Sequence, residues 1–395
     1  MRFNFDEFSS TAPKIKVFGI GGGGNNAVSY IMEQVKKFKL PDENISFVST
    51  EPNDGEYGFE AYCFNTDKQA LYGVYKKKAV KPDNLIILGI ESCKGMGAGT
   101  NAQIGQQAAI ESEESIRDCL ADTDMVFIAT GMGGGTGTGA TPVIAKIAKE
   151  MGILTVAIVT KPFDFEGAQR VAIAEDGIAQ LSEAVDSLIV IPNDKLFDQK
   201  NGTIGVTLHE AYGRVNQVLN TAVTSISDII LNEGTQNVDF ADVKAVMQNG
   251  GYAIWGVGEG SGEDKVRKAV EEATNSPLLE DIDISDAGGL IVNITAGSDF
   301  ELSDFQLVGD SIAELKSNTG TTKIGLREDP SLSGKIYITI IATGLKLKPK
   351  DGEKNKASTP FSFSNNKPST CAENSRKTPT QTGRILPEFL RHQSN

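Results

Sequence analysis

Residues 131–140 read GMGGGTGTGA, and six of these ten residues are glycine. It follows MVFIAT at 125–130, an apolar run typical of a buried strand. Because glycine has no Cβ, backbone N–H groups can crowd around an oxyanion. A helix after such a turn adds partial positive charge at its N-terminus. The stretch therefore predicts a phosphate-binding loop at the end of a strand.

A second glycine run lies near the start of the chain. GIGGGGNN at 19–26 follows the predicted strand KIKVFGI at 14–20 and satisfies the spacing GxGxxG. That spacing alone fits a dinucleotide fold, a mononucleotide fold or a tight turn. Two such loops at neighbouring strand ends predict a cradle for a polyphosphate, with the hydroxyls of Thr136 and Thr138 as further donors. The chain has no GxxxxGKS or GxxxxGKT motif, so the usual P-loop NTPase is not indicated.

The order of the predicted elements indicates an α/β fold. Apolar runs alternate with helical patterns, which is typical of βαβ units and of an open, doubly wound parallel sheet. Ligands bind at the carboxyl ends of the strands in such sheets, so the glycine-rich loops should gather at one edge. The predicted strands lie at 14–20, 61–67, 85–90, 125–130 and 153–160.

The second half of the chain predicts a long helix and a smaller mixed unit. Residues 207–232 carry apolar side chains at steps of three and four, as one continuous helix would. After Gly344 the sequence is rich in Lys, Ser, Thr, Asn and Pro and predicts a disordered tether. Between them the pattern predicts strands at 251–260, 289–297, 321–329 and 335–344, and helices at 263–274 and 303–316.

These patterns divide the chain into six segments. A disordered tether followed by a short apolar island is typical of a motif that folds on a partner. The predicted segments are a flexible leader (1–12), a phosphate-binding domain (13–206), a central helix (207–233), a smaller mixed α+β domain (234–345), a disordered linker (346–382) and a docking peptide (383–395).

The composition argues against several classes of function. A formal net charge of −14 argues against a nucleic-acid binder held by phosphate contacts. The four cysteines show no CxxC spacing and the chain has two histidines, so no protein metal site is predicted. No run of about 18 apolar residues is present, and residues 1–14 lack the apolar core of a signal peptide. We therefore expect a cytoplasmic protein with reduced cysteines and no direct membrane insertion.

Several motifs together resemble the tubulin/FtsZ family, and within it the FtsZ proteins of bacterial cell division. The signature GGGTGTG stands at 133–139, and the resemblance extends from Lys14 to Gly344 in the family's order. It implies a GTPase domain, a central helix and a second domain, with GTP or GDP at the top of the sheet. The further motifs are GIGGGGNNAV (19–28), NTDKQAL (65–71), TKPFDFEG (160–167), IPND (191–194), NVDFADV (237–243), SPLLEDIDI (276–284) and GGLIVNITAG (288–297).

The resemblance implies a role for individual residues in the GTP pocket. Glu166 and Arg170 would approach the ribose, although their spacing also fits an ordinary helix salt bridge. Tyr212 would lie against guanine and Asn216 would hydrogen-bond its edge, although Tyr212 also fits the apolar stripe of its helix. Asn193 is a further candidate on the base side. The residues implied to line the phosphates and part of the base are Gly21, Gly22, Gly23, Gly24, Asn25, Asn26, Gly133, Gly134, Gly135, Thr136 and Gly137.

The segment NVDFADVKAV at 237–246 carries the candidate catalytic acids. From the residues alone, Asp239 and Asp242 are also ordinary acids that suit the start of a helix. In the family this loop enters the GTP pocket of the next subunit of a head-to-tail filament. The resemblance therefore implies that Asp239 and Asp242 orient the attacking water and that Asn237 completes the contact. It also implies Mg²⁺, held mainly through the phosphates.

The chain ends with RILPEFLRHQSN, which is similar to the C-terminal peptide of the family. The resemblance implies that this peptide docks on membrane-tethering adaptor proteins and brings the protein to the division site. Direct contact with lipid is the alternative, but one short apolar patch binds bilayers weakly. The four apolar side chains of the peptide are Ile385, Leu386, Phe389 and Leu390.

Three functions are compatible with these motifs. The first is a GTPase that assembles into the division ring, and the second is a nucleotide-gated polymer that hydrolyses little. The third, based on GxGxxG alone, is a Rossmann-type oxidoreductase.

Two departures from the family's pattern are a long segment at 36–62 and a lysine, Lys94, where the family often has arginine. Lysine keeps the charge but loses bidentate geometry.

Overall fold

The structure is a computed structural model that describes residues 13–37, 59–197, 206–231, 234–274, 287–315 and 320–345. The predicted leader, linker and docking peptide lie outside the described residues, and so does most of the long segment at 36–62. The described residues belong to one compact unit.

Ten strands and eleven helices of more than one turn are described, besides short 3-10 turns. The strands are β1 (Ile15–Ile20), β2 (Phe59–Asn65), β3 (Leu85–Ile87), β4 (Met125–Gly131), β5 (Leu154–Lys161), β6 (Ser187–Pro192), β7 (Gly251–Ser261), β8 (Gly289–Ala296), β9 (Thr321–Glu328) and β10 (Lys335–Leu345). The helices are α1 (Gly21–Lys37), α2 (Lys68–Lys77), α3 (Ile90–Cys93), α4 (Ala102–Glu111), α5 (Glu113–Leu120), α6 (Gly135–Glu150), α7 (Ala168–Ala184), α8 (Leu208–Leu231), α9 (Phe240–Met247), α10 (Lys265–Thr274) and α11 (Leu302–Leu315).

The strands form one sheet in the order β3-β2-β1-β4-β5-β6-β7-β10-β8-β9. The first seven strands in this order pair in parallel, which confirms the predicted doubly wound half. Beyond β7 the pairing is mixed, because β10 runs antiparallel to β7 and β8 while β9 is parallel to β8. The predicted domain boundaries near 206 and 234 stay a prediction, because a single sheet continues from one half into the other.

Both faces of the parallel half are covered by helices. Neighbouring residues of a strand point to opposite faces of the sheet, and both Val17 and Phe18 of β1 are fully buried. α1, α2, α8 and α9 pack on one face, and α4, α5, α6 and α7 pack on the other. α10 and α11 cover the mixed half. Runs such as MVFIAT are apolar throughout because they face a core on each side.

Glycine brings α4 and α6 into backbone contact. A Cβ on Gly139 would lie 1.8 Å from the carbonyl oxygen of Ala102, and one on Gly105 would lie 2.2 Å from that of Gly135. Some of the glycines at 131–140 therefore serve helix packing and not phosphate binding.

The long helix α8 spans Leu208–Leu231, within one residue of its predicted bounds. At about 1.5 Å per residue its 24 residues extend about 36 Å. Its apolar stripe, which includes Val215, Leu219 and Ile226, is buried in the core. The helix therefore connects two distant ends of the molecule.

The structure differs from the sequence prediction in two local details. α1 begins at Gly21, inside the glycine run that was expected to precede it. The strand predicted at 85–90 ends at Ile87, and Ile90 already begins α3. Helices α2, α5 and α7 and strand β6 were not predicted as elements from the apolar patterns.

Candidate functional site

The two glycine-rich loops meet at the carboxyl edge of the parallel sheet. Ile20 at the end of β1 pairs with Thr130 near the end of β4, so α1 and α6 begin side by side. A Cβ on Gly21 would lie 2.9 Å from the backbone nitrogen of Gly137. The gathering of the loops at one edge, which the fold class predicted, is thus confirmed.

Most glycines of these loops are required by close packing. A Cβ on Gly24 would lie 2.2 Å from the carbonyl oxygen of Ala129, and one on Gly23 would lie 3.1 Å from Gly131. In the loop before α6, Gly133 adopts a φ of +95°, which favours glycine. A Cβ on Gly135 would lie 2.5 Å from the carbonyl oxygen of Gly99.

Two glycines of the loops border open space instead. A Cβ on Gly22 or on Gly134 would meet no atom within 4 Å, and both loops lie wholly within the described residues. Gly22 is exposed, and Gly134 stands at the N-terminus of α6 without a side-chain cap. The first N–H groups of a helix need an acceptor. The open space in front of these two glycines therefore suits an anion.

Threonine hydroxyls fix the loop before α6. The Gly133 N–H donates to Thr138 Oγ1 at 2.9 Å, so this hydroxyl holds the loop closed. The hydroxyls of Thr66 and Thr136 lie 2.6 Å apart and are both buried. Thr138 therefore serves the loop itself, and Thr136 is linked to the loop after β2.

The two asparagines after the first glycine run have different surroundings. Asn25 is buried, and in the amide orientation that satisfies both of its polar atoms, its nitrogen donates to the carbonyl oxygens of Gly19 at 2.7 Å and Gly21 at 3.1 Å. Its amide oxygen faces the Asn65 side chain at 3.0 Å. Asn26 is exposed at the edge of the loop. Asn25 thus shapes the loop from inside, while Asn26 is accessible to a ligand.

A third loop, residues 94–101, lies against the loop after β2 and the loop before α6. The Gly97 N–H donates to the Thr66 carbonyl at 3.0 Å, and the Gly135 N–H donates to the Gly99 carbonyl at 3.0 Å. Lys94 is exposed and adopts a φ of 51°. The loop therefore borders the same open space from the side of α4.

Aromatic side chains line the neighbouring end of β5. The ring of Phe163 contacts Tyr212 edge-on, with the ring centroids 5.6 Å apart, and stacks on Phe165 at 4.9 Å. Arg170 Nη1 lies 2.7 Å from Glu166 Oε2, so the predicted i,i+4 pair forms. Burial and then the Glu166 carboxylate raise the pKa of Tyr212, which keeps its phenol neutral. The flat, neutral ring of Tyr212 suits a base, and the Glu166–Arg170 ion pair beside it suits a ribose, so the cluster as a whole suits a nucleoside.

Asparagines from two elements lie at the same end. Asn193, which follows β6, is 4% exposed, and its Oδ1 has no hydrogen-bond partner among the described residues. A buried acceptor without a partner is costly unless a ligand satisfies it. Asn216 is half-buried and follows Tyr212 by four residues on α8, so both lie on one helix face.

The candidate acids lie at the start of α9. Asp239 caps this helix, since its Oδ1 accepts a hydrogen bond from the Asp242 N–H at 2.7 Å. Asp242 Oδ1 lies 2.7 Å from Lys323 Nζ on β9. Asn237 accepts a hydrogen bond from the Gly234 N–H through its side chain. All three candidates are accessible to solvent in part or in full.

The acids and the glycine loops occupy opposite ends of the sheet. Gly251, the first residue of β7, pairs with Ser187, the first residue of β6. The Ser187 hydroxyl donates to the Met247 carbonyl at the end of α9 at 2.7 Å. α9 therefore lies at the amino ends of the parallel strands, whereas the glycine loops lie at their carboxyl ends. α8 runs between these two ends, from the neighbourhood of Phe163 to the segment that leads into α9.

Three contributors to the site were not singled out from the sequence. Thr66 and Phe163 sit at the centre of the loop contacts and of the aromatic cluster. Thr66 belongs to the motif NTDKQAL, which begins at the last residue of β2. Phe163 belongs to the motif TKPFDFEG, which begins at the end of β5. The third residue, Lys323, has no signal in the sequence, because only the fold brings β9 next to α9.

The described residues contain no group of three or more His, Cys, Asp or Glu side chains placed to hold a metal ion. In the same part of the chain, no helix is both long and apolar enough to cross a membrane.

Two family models match the chain. The model of the GTPase domain of the tubulin/FtsZ family matches residues 14–201. The model of the C-terminal domain of the FtsZ family matches residues 251–346. Together they cover the phosphate-binding half and the mixed half on either side of α8 and α9.

Individual relatives agree with these models. The cell division protein FtsZ of Buchnera aphidicola subsp. Schizaphis graminum is 46% identical over 347 residues, which is 87% of this chain and 83% of the relative. That of Coxiella burnetii is 46% identical over 343 residues, 87% of this chain and 82% of the relative. An empty FtsZ dimer from M. jannaschii has a TM-score of 0.72 and 36% identity, and the match covers 90% of this chain and 97% of that one. The chain therefore belongs to the FtsZ proteins of the tubulin/FtsZ family of GTPases.

Proposed function

We propose that this GTPase polymerises head to tail and hydrolyses GTP at the interface between subunits. One subunit binds GTP at the carboxyl edge of its sheet. The next subunit brings Asp239 and Asp242 to the γ-phosphate, where they orient the attacking water, and Asn237 completes the contact. Phosphoryl transfer depends on positioning more than on covalent chemistry, so a site divided between two copies is sufficient.

The observation that supports this proposal is the separation of the two sets of residues. Strands of six to eight residues, at about 3.3 Å per residue, place the glycine loops about 20–25 Å from the amino ends of the strands. A carboxylate at one end of the sheet cannot orient a water at the other end. The acids of one copy therefore serve a nucleotide only if another copy holds it.

In this proposal each part of GTP has its own set of contacting residues. The phosphates would lie in the open space before Gly22 and Gly134, against the N-terminus of α6. Glu166 and Arg170 would face the ribose. Tyr212 would lie against the base, with Asn216 and Asn193 at its edge, and the unpartnered Oδ1 of Asn193 would accept from a guanine N–H. The described carboxylates form no metal cage, so Mg²⁺ would be carried by phosphate oxygens and water.

The assembly would be heterologous, because the two contacting surfaces of each subunit differ. Such contacts generate open filaments when they do not close into rings. The dimer solved for the FtsZ of M. jannaschii supports association between copies. The filament would lie at the division site, and adaptor proteins bound to Ile385, Leu386, Phe389 and Leu390 would hold it to the membrane.

Turnover is expected to depend steeply on protein concentration. A dilute subunit binds GTP but has no neighbour, so phosphate release per molecule should fall towards zero below the assembly threshold. The measurement is phosphate release across a dilution series, with sedimentation in GTP and in GDP to locate the threshold. Equal turnover per molecule in dilute and concentrated samples would contradict a divided site.

The aromatic contact with the base gives a separate prediction. Tyr212→Ala is expected to weaken GTP binding about 10-fold, because stacking on an aromatic ring contributes about 1–3 kcal/mol per base. Tyr212→Phe keeps the ring and should bind GTP within about two-fold of the parent, a difference of less than 0.5 kcal/mol. Equilibrium titration with a fluorescent GTP analogue, followed by competition with GTP, measures both. Equal affinity of the alanine variant and the parent would remove Tyr212 from the base pocket.

A further inference from the structure

The segment 234–239, which leads into α9 and is called the acid loop together with Asp242, is hydrogen-bonded to β9, the last strand of the sheet. The Gln236 N–H donates to the Leu326 carbonyl at 3.1 Å, and the Leu326 N–H donates to the Gln236 carbonyl at 2.9 Å. Val238 is buried, and a Cβ on Gly234 would lie 2.4 Å from the Leu326 carbonyl oxygen. The backbone is thus fixed against β9 before α9 begins.

The two carboxylates at the start of α9 are held in different ways. Asp239 is oriented by a backbone group, because its Oδ1 accepts from the Asp242 N–H. No described backbone N–H donates to the Asp242 carboxylate. Its Oδ1 instead lies 2.7 Å from Lys323 Nζ, which projects from β9. The direction of the Asp242 carboxylate is therefore set by a side chain from another element.

Lys323 also changes the charge of this end of the molecule. Its hydrogen bond to Asp242 and the charge of Asp242 raise the pKa of Lys323, and the charge of Asp239 adds to this. The ammonium group therefore stays charged at neutral pH. Two carboxylates that approach a triphosphate are repelled by it, and a fixed cation beside them offsets one of the two negative charges.

We propose that Lys323 is a positioning residue for GTP hydrolysis. It holds Asp242 Oδ1, so that Oδ2 points to the water on the neighbouring subunit's nucleotide, and it lowers the repulsion between the acid loop and the triphosphate. Lys323 acts through Asp242 and does not itself contact GTP. This inference rests on the proposed function, in which Asp242 serves the next subunit.

A merely structural role is the alternative for such a pair. The side chains of Lys323 and Asp242 are 38% and 27% exposed, and ion pairs of this kind contribute little to stability. The same chain offers a matched control on β10, where Lys335 Nζ lies 2.9 Å from Glu259 Oε1 and both side chains are about half exposed. Removal of either lysine should therefore change the melting temperature little.

The experiment compares full-length Lys323→Gln, Lys323→Arg, Lys335→Gln and Asp242→Asn with the parent. Phosphate release is divided by the amount of sedimented polymer, so that weaker assembly is not mistaken for slower chemistry. Binding of a fluorescent GTP analogue and the melting temperature are measured alongside. Lys323→Gln is expected to lower turnover per polymerised subunit about 10-fold, because a misplaced catalytic group costs up to about 100-fold. Nucleotide affinity should stay within about two-fold in all four variants. Asp242 and Lys323 lie at the amino ends of the strands, and Lys335, which pairs with Ser261 at the end of β7, is separated from the glycine loops by β5, β6 and β7.

The conservative and control variants decide the outcome. Lys323→Arg keeps the cation and should recover most of the turnover, while Lys335→Gln should match the parent. In Asp242→Asn the further change Lys323→Gln should add nothing, because the two residues act as a unit. If Asp242→Asn turns over GTP like the parent, the proposed function fails. If Asp242→Asn is inactive while Lys323→Gln equals or exceeds the parent, the proposed function stands and the role of Lys323 is wrong.

Discussion

Asp242→Ala is expected to bind GTP like the parent and to lose about 10²–10⁴-fold in turnover, the range found when a positioned acid–base group is removed. Binding should be retained because Asp242 lies at the amino ends of the strands, whereas the proposed pocket lies at their carboxyl ends. Turnover should be lost because Asp242 is the acid that would face the next subunit's γ-phosphate. The measurements are analogue binding and phosphate release at a protein concentration above the assembly threshold.

A matched control separates this effect from a loss of negative charge. Asp118 on α5 is an exposed acid that belongs neither to the glycine loops nor to α9, and Asp118→Ala should leave turnover unchanged. Sedimentation in GTP shows whether the Asp242→Ala polymer still forms. Parent-like turnover in Asp242→Ala, or a parallel loss of GTP binding, would show that the acid does not act across an interface.

Gly139→Ala is expected to lower the free energy of unfolding by about 3 kcal/mol, the upper part of the usual range for overpacking. Alanine is normally the better helix former by about 1 kcal/mol. Here its Cβ would lie 1.8 Å from the Ala102 carbonyl oxygen, a backbone atom that cannot move away without separating α4 from α6. Denaturant unfolding followed by circular dichroism measures the change.

Gly134→Ala is expected to leave the free energy of unfolding almost unchanged and to weaken GTP binding. Gly134 has φ −99° and ψ 171°, which any residue adopts, and a Cβ there meets no atom within 4 Å. Stability should stay within about 0.5 kcal/mol of the parent. GTP affinity should fall about 10-fold or more, or ~1.4 kcal/mol, because the methyl group would occupy the proposed phosphate space.

Gly73→Ala is the control for this pair of variants. Gly73 lies on α2, also has no atom within 4 Å of a would-be Cβ, and is exposed to solvent. Alanine there should stabilise the protein slightly and leave GTP affinity unchanged. If Gly134→Ala binds GTP as tightly as Gly73→Ala does, the open space before α6 does not hold the phosphates.

The sequence predicted the elements whose signals are local. β1, β4 and β5 were predicted from short apolar runs that have a glycine directly before or after them, and α8 from an uninterrupted apolar stripe. Their positions were confirmed within a residue or two. The gathering of the glycine loops at one edge followed from parallel pairing alone. These properties need no knowledge of distant contacts.

Other features depend on contacts that no local pattern encodes. The continuation of the sheet from β6 into β7 and β10 requires strands far apart in the chain to pair, and the residues GYAIWGVGEG do not indicate which strands lie beside them. The hydroxyl contact of Thr66 with Thr136 crosses 70 residues of sequence. The packing role of Gly139 was also hidden, because a glycine that borders a ligand and one that borders a helix look the same in a sequence.

The opposite placement of acids and glycine loops gives any filament of this subunit two unlike ends. In the proposed filament, the terminal copy at one end would hold a nucleotide with no neighbouring carboxylates to act on it, while the copy at the other end would present its carboxylates to solvent. The nucleotide at the first end would stay intact only until another copy bound, so the rate of growth would set the age of the buried nucleotides. Fast-growing filaments would carry a long uncleaved cap, and stalled filaments would lose it.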